Sequence, residues 1–110
     1  MVDKLLYEMQ AKVCTGLGHT KRIEIIDLLQ KGEKSAGSLV GDMDISKANL
    51  SQHLSVLKNN GLLQSRREGV SVYYQITNPK IVTACLLMRD VLMDQLDNAA
   101  KLRQGYIKET

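Results

Sequence analysis

The segment that follows Ser46 carries polar side chains of the kind that can bind nucleic acid. Leu50, Leu54 and Leu57 recur at i, i+4 and i+7, which predicts a helix with one apolar face. Lysine, asparagine and glutamine hydrogen-bond to base edges in the DNA major groove, whose width admits one α-helix. A solvated helix face is the alternative interpretation that this segment alone leaves open. The other face of the helix has no acid and comprises Lys47, Asn49, Ser51, Gln52, Ser55, Lys58 and Asn59.

The two histidines of the chain are ambiguous. His53 lies between the polar and apolar faces of the same helix, so it could donate to a phosphate or pack half-buried. His19 stands at the start of an earlier helix, where a capping or packing role is more common than that of a ligand. Two histidines far apart in the sequence, without clustered acids, leave little material for catalysis.

After Gly61 the apolar periodicity changes from helical to alternating. Leu62 to Arg67 and Val70 to Ile76 are predicted strands. Glu68-Gly69 is the predicted turn between them, because glycine accepts the positive φ of a hairpin. Between Ser46 and Ile76 there are four basic side chains and one acidic one. A cationic hairpin beside a helix that contacts bases can bind the phosphate backbone. An ordinary charged turn is the alternative.

Four further helices are predicted from the spacing of apolar residues. Three precede the polar-faced helix, over Asp3 to Cys14, Thr20 to Lys31 and, as a short helix, Ser35 to Asp42. The fourth follows the hairpin, from Pro79 to about Gln104. The short helix, a tight turn and the polar-faced helix form a helix-turn-helix. The expected fold is mainly α with a small β-hairpin, a winged helix-turn-helix in the order α-α-α-α-β-β-α, as a single domain over 1–110.

Composition restricts the function classes. The chain has 110 residues, 44% hydrophobic and 25% charged, with a formal net charge of +3, as expected of one soluble globular domain. It has no apolar run long enough for a membrane span and no apolar segment typical of a signal peptide, so we expect a cytoplasmic protein. Metalloprotease, phosphate-loop and nucleophile-elbow motifs are absent. We therefore expect neither an enzyme nor a cofactor.

Four segments resemble the ArsR-type (arsenic-repressor-like) family of transcriptional regulators. Leu17 to Ile23 (LGHTKRI) is similar to the start of that family's second helix, and Ile45 to Lys58 (ISKANLSQHLSVLK) to its recognition helix. Gly61 to Leu63 and Arg66 to Tyr74 (RREGVSVYY) resemble its first strand and its wing. The resemblance covers Leu17 to Ile76, in order and with similar spacing.

The resemblance implies a homodimer that binds double-stranded operator DNA and usually represses transcription until an inducer releases it. It also implies that the terminal helices, about 3–14 and 79–104, form the dimer interface. The apolar stripes of these helices fit that role, although they could instead cover the domain's own core: Leu5, Met9 and Val13 in the first helix, and Ile81, Cys85, Met88 and Leu92 in the last. The predicted DNA-binding residues are Ser46, Lys47, Asn49, Ser51, Gln52 and His53 in the major groove, with Arg66, Arg67 and Tyr73 in the wing.

Two departures from the family's pattern concern its metal sites. The stretch Glu33 to Leu39 has no thiol where many metal sensors carry two cysteines. Asn78-Pro79-Lys80 replaces the Asp-x-His of zinc-binding members, so neither metal site is carried over. Cys14 and Cys85, on the two terminal helices, remain a possible thiol sensor for a soft metal, an arsenical or redox state. Buried, inert cysteines are the alternative, because free cysteine is often buried.

Two other functions stay open. A winged helix can bury the equivalent helix in a protein partner, which would call for apolar anchors on its exposed face. A DNA-binding regulator without any small-molecule effector is also compatible with the loss of the family's metal sites. The sequence leaves the operator, the regulated genes and the inducer undetermined.

Overall fold

The structure is a computed structural model that describes residues 3–109. Five helices and three short strands account for most of the described chain. The predicted helix-turn-helix and hairpin are present, and a short strand that was not predicted precedes the third helix. The elements in chain order are α1 Lys4–Leu17, α2 Thr20–Leu29, β1 Lys34–Ser35, α3 Ala36–Met43, α4 Lys47–Asn59, β2 Leu63–Glu68, β3 Ser71–Ile76 and α5 Lys80–Glu109.

The core lies between α2, α3, α4 and the start of β2. Leu50, Leu54 and Leu57 are buried, which confirms the predicted apolar face of α4. In α2 the buried face comprises Ile25, Ile26 and Leu29, whereas Ile23 is 43% exposed. The buried apolar residues are Ile25, Ile26, Leu29, Leu39, Met43, Leu50, Leu54, Leu57, Leu62 and Leu63.

The junction between α3 and α4 is short and fixed by capping. Asp44 adopts a left-handed conformation, with φ 51° and ψ 56°, and its N–H donates to the Val40 carbonyl at 3.1 Å. The Ser46 hydroxyl then accepts the Asn49 N–H at 3.1 Å, as expected of an N-cap. The end of α3 and the start of α4 are thus both capped by hydrogen bonds from a connection of three residues. This short connection defines the orientation of α4 relative to the core.

The sheet has the strand order β1-β3-β2, and all pairings are antiparallel. Arg66 pairs with Tyr73 and Glu68 with Ser71, so the turn is Gly69-Val70 rather than the predicted Glu68-Gly69. Gly69 supplies the positive φ, at 61°. The strand β1 was missed because two polar residues, Lys34 and Ser35, cannot show an alternating apolar pattern.

The terminal helices are longer than predicted. The first continues past Cys14 to Leu17, because Gly16 is buried and an added Cβ there would collide with the Asn60 side chain. The last begins at Lys80, whose N–H donates to Oδ1 of Asn78 at 2.9 Å. Its 30 residues give a length of roughly 45 Å. Among the described residues no helix is both long and apolar enough to cross a membrane.

Candidate nucleic-acid interface

The exposed face of α4 is polar and cationic. All of its side chains lie opposite the buried Leu50, Leu54 and Leu57, and the helix contains no acidic residue. This arrangement leaves amide, amine and hydroxyl groups free to meet base edges or phosphates. The exposed residues predicted to bind DNA on this helix are Lys47, Asn49, Ser51 and Gln52.

Ser46 stands at the N-terminus of α4 and is also exposed. Its oxygen accepts the Asn49 N–H, so this contact uses the hydroxyl as an acceptor. The hydroxyl proton can still be donated to a phosphate oxygen. Lys47 follows directly, which places a positive charge beside the N–H groups of the first turn.

The hairpin, α3 and α4 line a common crevice. Lys47 and Ser51 of α4 line it, as do Val70, Ser71 and Val72 of the hairpin. At the far end of α4, Nζ of Lys58 donates to Oγ of Ser65 in β2 at 2.7 Å. The fold therefore places the predicted reading helix next to the predicted wing.

Arg66 is held by carboxylates of the protein itself. Its Nε donates to Oε2 of Glu33 at 3.0 Å, and its Nη1 donates to Oε2 of Glu68 at 2.7 Å. Its guanidinium carbon lies 4.6 Å from the centroid of the Tyr73 ring, within range of a cation–π interaction. The hydrogen bond from Arg66 holds the pKa of Glu33 below its ordinary value, and the same contacts raise the pKa of Arg66.

Arg67 lies on the other face of the hairpin, because successive strand residues point to opposite sides. Arg67 lies opposite Val72 in the β2–β3 pairing. Ser65, which accepts the hydrogen bond from Lys58, lies two residues earlier on the same face. Within the described part of the chain, the Arg67 guanidinium forms no ion pair. The two wing arginines thus have different surroundings.

His53 packs between α4 and α2 rather than on the exposed face. It is partly buried, its ring centroid lies 4.4 Å from that of His19, and Nη1 of Arg22 lies 3.5 Å from its Nδ1. Burial lowers the pKa of His53, and the nearby His19, Arg22 and Lys21 lower it further. Of the two interpretations of His53, this geometry favours packing.

Arg22 and Glu33 were missed by sequence reasoning. Nε of Arg22 donates to the carbonyl of Gly16 at 2.5 Å, so this side chain joins the end of α1 to His53 on α4. Glu33 is 33 positions from Arg66. Neither residue belongs to a periodic pattern, so the sequence contains no local signal for them.

The two cysteines differ in exposure. Cys14 on α1 is exposed, whereas Cys85 on α5 is partly buried against the core. Burial raises the pKa of Cys85, which Arg89 opposes and Asp27 reinforces. No group of three or more potential metal ligands occurs among the residues that the structure describes.

Comparison with known proteins identifies the family. The sequence model of the family described as "Bacterial regulatory protein, arsR family" matches residues 19–65, from the cap of α2 into β2. The uncharacterized HTH-type transcriptional regulator Rv0081 of Mycobacterium tuberculosis is 36% identical over 93 residues, which cover 84% of this chain and 82% of that protein. The transcriptional repressor SdpR of Bacillus subtilis is 36% identical over 55 residues, which cover 50% of this chain and 61% of that protein.

Solved structures agree with the sequence comparison. The crystal structure of Rv0081 superposes with a TM-score of 0.79 at 34% identity, covering 86% of this chain and 96% of that one. The NMR structure of the homodimeric winged helix-turn-helix DNA-binding domain Mb0332 from Mycobacterium bovis superposes with a TM-score of 0.78 at 28% identity. The match covers 89% of this chain and 93% of that one. The resemblance seen in the sequence is confirmed, as is the expectation of a regulator rather than an enzyme. The chain belongs to the ArsR family and is a winged helix-turn-helix transcriptional regulator.

Proposed function

We propose that this regulator binds double-stranded operator DNA as a homodimer, reads bases with α4 and represses transcription. The observation that carries the proposal is the exposed, acid-free face of α4 beside the hairpin. A helix of this kind fits the major groove while the adjacent wing meets the backbone. Ser46, Lys47, Asn49, Ser51 and Gln52 are the proposed groove-facing residues.

The terminal helices support the homodimer. Leu5 and Met9 on α1 and Met88, Leu92 and Leu96 on α5 are each at least half exposed in the single chain. Exposed apolar surface of this extent is typical of an interface. Val13, Ile81 and Cys85, also assigned to the stripes, instead pack against the protomer's own core. The proposed interface is therefore the outer part of both helices. Homodimerisation is described for the Mycobacterium bovis domain.

Repression is the proposed direction of regulation. A dimer bound to an operator excludes other proteins from that stretch of DNA, and the related SdpR is named a repressor.

The candidate residues for release of the protein from its operator are Cys14 and Cys85, because they lie on the helices of the proposed dimer interface. Titration of the DNA complex with an oxidant or with arsenite tests this role. Unchanged affinity in the wild type, matching that of Cys14→Ser and Cys85→Ser, would exclude the thiols and favour a regulator without a thiol-responsive inducer.

The experiment that tests DNA reading is fluorescence anisotropy of the reduced protein on the duplex upstream of its own gene. A scrambled duplex of equal length at the same salt concentration is the control. We expect a preference of about 10³ or more for the natural sequence. Tiling of neighbouring promoter fragments extends the search if the first duplex shows no preference. Equal, salt-sensitive binding to all fragments would contradict sequence reading.

A failure to bind any duplex would favour the protein-interaction function instead. The exposed side chains of α4 argue against that function, since lysine, asparagine, serine and glutamine are not the aromatic or leucine anchors of protein interfaces.

A further inference from the structure

The two adjacent arginines of the wing occupy opposite faces of the hairpin. Arg67 shares its face with Ser65, which bonds to Lys58 of α4, and with Val72, which lines the crevice beside α4. Arg66 points to the other face, where Tyr73 lies directly across from it. One arginine is therefore on the face toward the reading helix, and the other is on the opposite face, where it meets Glu33.

The face of Arg66 contains its own counter-charges. The guanidinium forms a two-pronged contact with Glu33, in the connection between α2 and β1, and a further ion pair with Glu68 in β2. Planar guanidinium and carboxylate groups match in this geometry, which fixes orientation as well as distance. Two carboxylates and an aromatic ring thus surround a single cation.

The contact with Glu33 spans two parts of the fold. Glu33 precedes β1, while Arg66 stands three residues before the turn of the wing. The only strand pairing of the wing beyond this point is the β2–β3 ladder, since β1 pairs with β3 at Tyr73 and Tyr74 alone. The Arg66–Glu33 pair can therefore fix the angle between the wing and the helical part of the domain.

We propose that Arg66 is a positioning residue that fixes the wing through Glu33, and that Arg67 is the wing arginine that contacts DNA phosphate. The inference rests on the proposed DNA binding and divides a role that the sequence assigned equally to both arginines. A guanidinium already paired with two carboxylates has little net charge to offer a phosphate. Arg67 retains its charge and faces the same side as α4.

The first test compares Arg66→Gln with Arg67→Gln, which remove the same charge from neighbouring exposed positions. Each phosphate contact contributes about one to the slope of log affinity against log salt concentration. On any duplex we expect Arg67→Gln to reduce this slope by about two, one for each wing of the homodimer, and Arg66→Gln to leave it unchanged. A reduction by Arg66→Gln, or none by Arg67→Gln, would overturn the assignment.

The second test needs no DNA. Hydrogen exchange of the wing amides between Arg66 and Tyr73 should become several-fold faster in Arg66→Gln and in Glu33→Gln, but not in Arg67→Gln. The double variant with both Arg66→Gln and Glu33→Gln should be no faster than either single one, because both changes break one contact. Unchanged exchange in Glu33→Gln would exclude the positioning role.

Glu33→Gln on DNA separates positioning from simple competition. If Glu33 only competed with phosphate for Arg66, its neutralisation in both protomers would steepen the salt dependence by about two. We expect the slope to stay the same. A wild-type protein that binds no duplex would overturn the proposed function and the role of Arg67 together, while the exchange measurements would still decide the role of Arg66.

Discussion

The ring of His53 on α4 lies 4.4 Å, centroid to centroid, from the ring of His19, which caps α2. The His19 Nδ1 accepts the Lys21 N–H at 3.1 Å, and Nη1 of Arg22 lies 3.5 Å from Nδ1 of His53. Both contacts require an unprotonated ring nitrogen. The packing of α2 on the reading helix therefore depends on the neutral form of His53.

Stability should fall when His53 is protonated. Burial, with help from His19, Arg22 and Lys21, lowers the pKa of His53 below its ordinary 6.5 in the folded protein. As the pH falls through 6.5, the unfolded chain binds the proton first, so the free energy of unfolding declines until the pH is below the folded pKa. Above 6.5 this stabilisation is complete. Urea unfolding from about pH 8 to about pH 5, at one protein concentration, measures the decline.

The variant His53→Gln removes the titrating group and keeps a polar side chain of similar length. Its stability should depend less on pH over the same interval, with the difference from wild type growing below 6.5. An equal decline in both proteins would assign the pH dependence to other groups and would contradict the role given to this contact.

Local patterns predicted the parts of the fold that are themselves local. The buried face of α4 follows from Leu50, Leu54 and Leu57, and its start follows from Ser46. The hairpin was predicted because alternation and Gly69 act over a few residues. Its turn was misplaced by one position, because Gly69 can occupy either place in a two-residue turn until the strand register is known.

Contacts across long sequence distances were not predictable. Glu33 meets Arg66 only because β1 joins the hairpin, and a two-residue strand leaves no pattern. The first helix extends beyond its predicted end at Cys14, because Gly16 is buried against Asn60 in a tertiary contact. For the same reason the sequence predicts one common role for Arg66 and Arg67. Two neighbouring arginines look equivalent until the contact of Arg66 with Glu33 is known.

A base-reading role for Gln52 predicts a position-dependent loss. Gln52 is exposed on α4, and its amide can form a pair of hydrogen bonds with adenine. Gln52→Ala should weaken binding by about 1–3 kcal/mol and relax the preference at one base pair. Anisotropy titrations on a set of singly substituted operators measure this effect. Gln64→Ala, at an exposed glutamine of β2, is the control, and equal weakening on every operator would make Gln52 a backbone contact.

Two helical glycines should respond differently to alanine. Gly41 lies within α3 with open space around the added Cβ, so Gly41→Ala should stabilise the protein by about 0.5–1 kcal/mol through helix propensity. At Gly16 the added Cβ meets the Asn60 side chain, which must move. Gly16→Ala should therefore lack this gain. Denaturant unfolding compares the two variants, and equal stabilisation would contradict the close packing of α1 on the end of α4.

Burial of the α5 face in a dimer predicts a charge-sensitive interface. The side chain of Met88 is 69% exposed in the protomer, so Met88→Glu leaves the monomer fold intact. In a dimer that buries this face the carboxylate would lose its solvation, and the dissociation constant should rise at least about tenfold, equivalent to about 1.4 kcal/mol. Sedimentation equilibrium measures it. Lys101→Glu, on the polar side of the same helix, is the control, and equal effects would exclude Met88 from the interface.

The two thiols should differ in reactivity. Nucleophilic attack requires the thiolate, and burial raises the pKa of Cys85 while Cys14 stands exposed on α1. An aromatic disulfide reagent should therefore modify the wild type in a fast phase followed by a slow one. The fast phase should vanish in Cys14→Ser and the slow phase in Cys85→Ser. If Cys85 reacted as fast as Cys14, then α5 would open readily from the core, and Cys85 would become the stronger candidate for a sensing thiol.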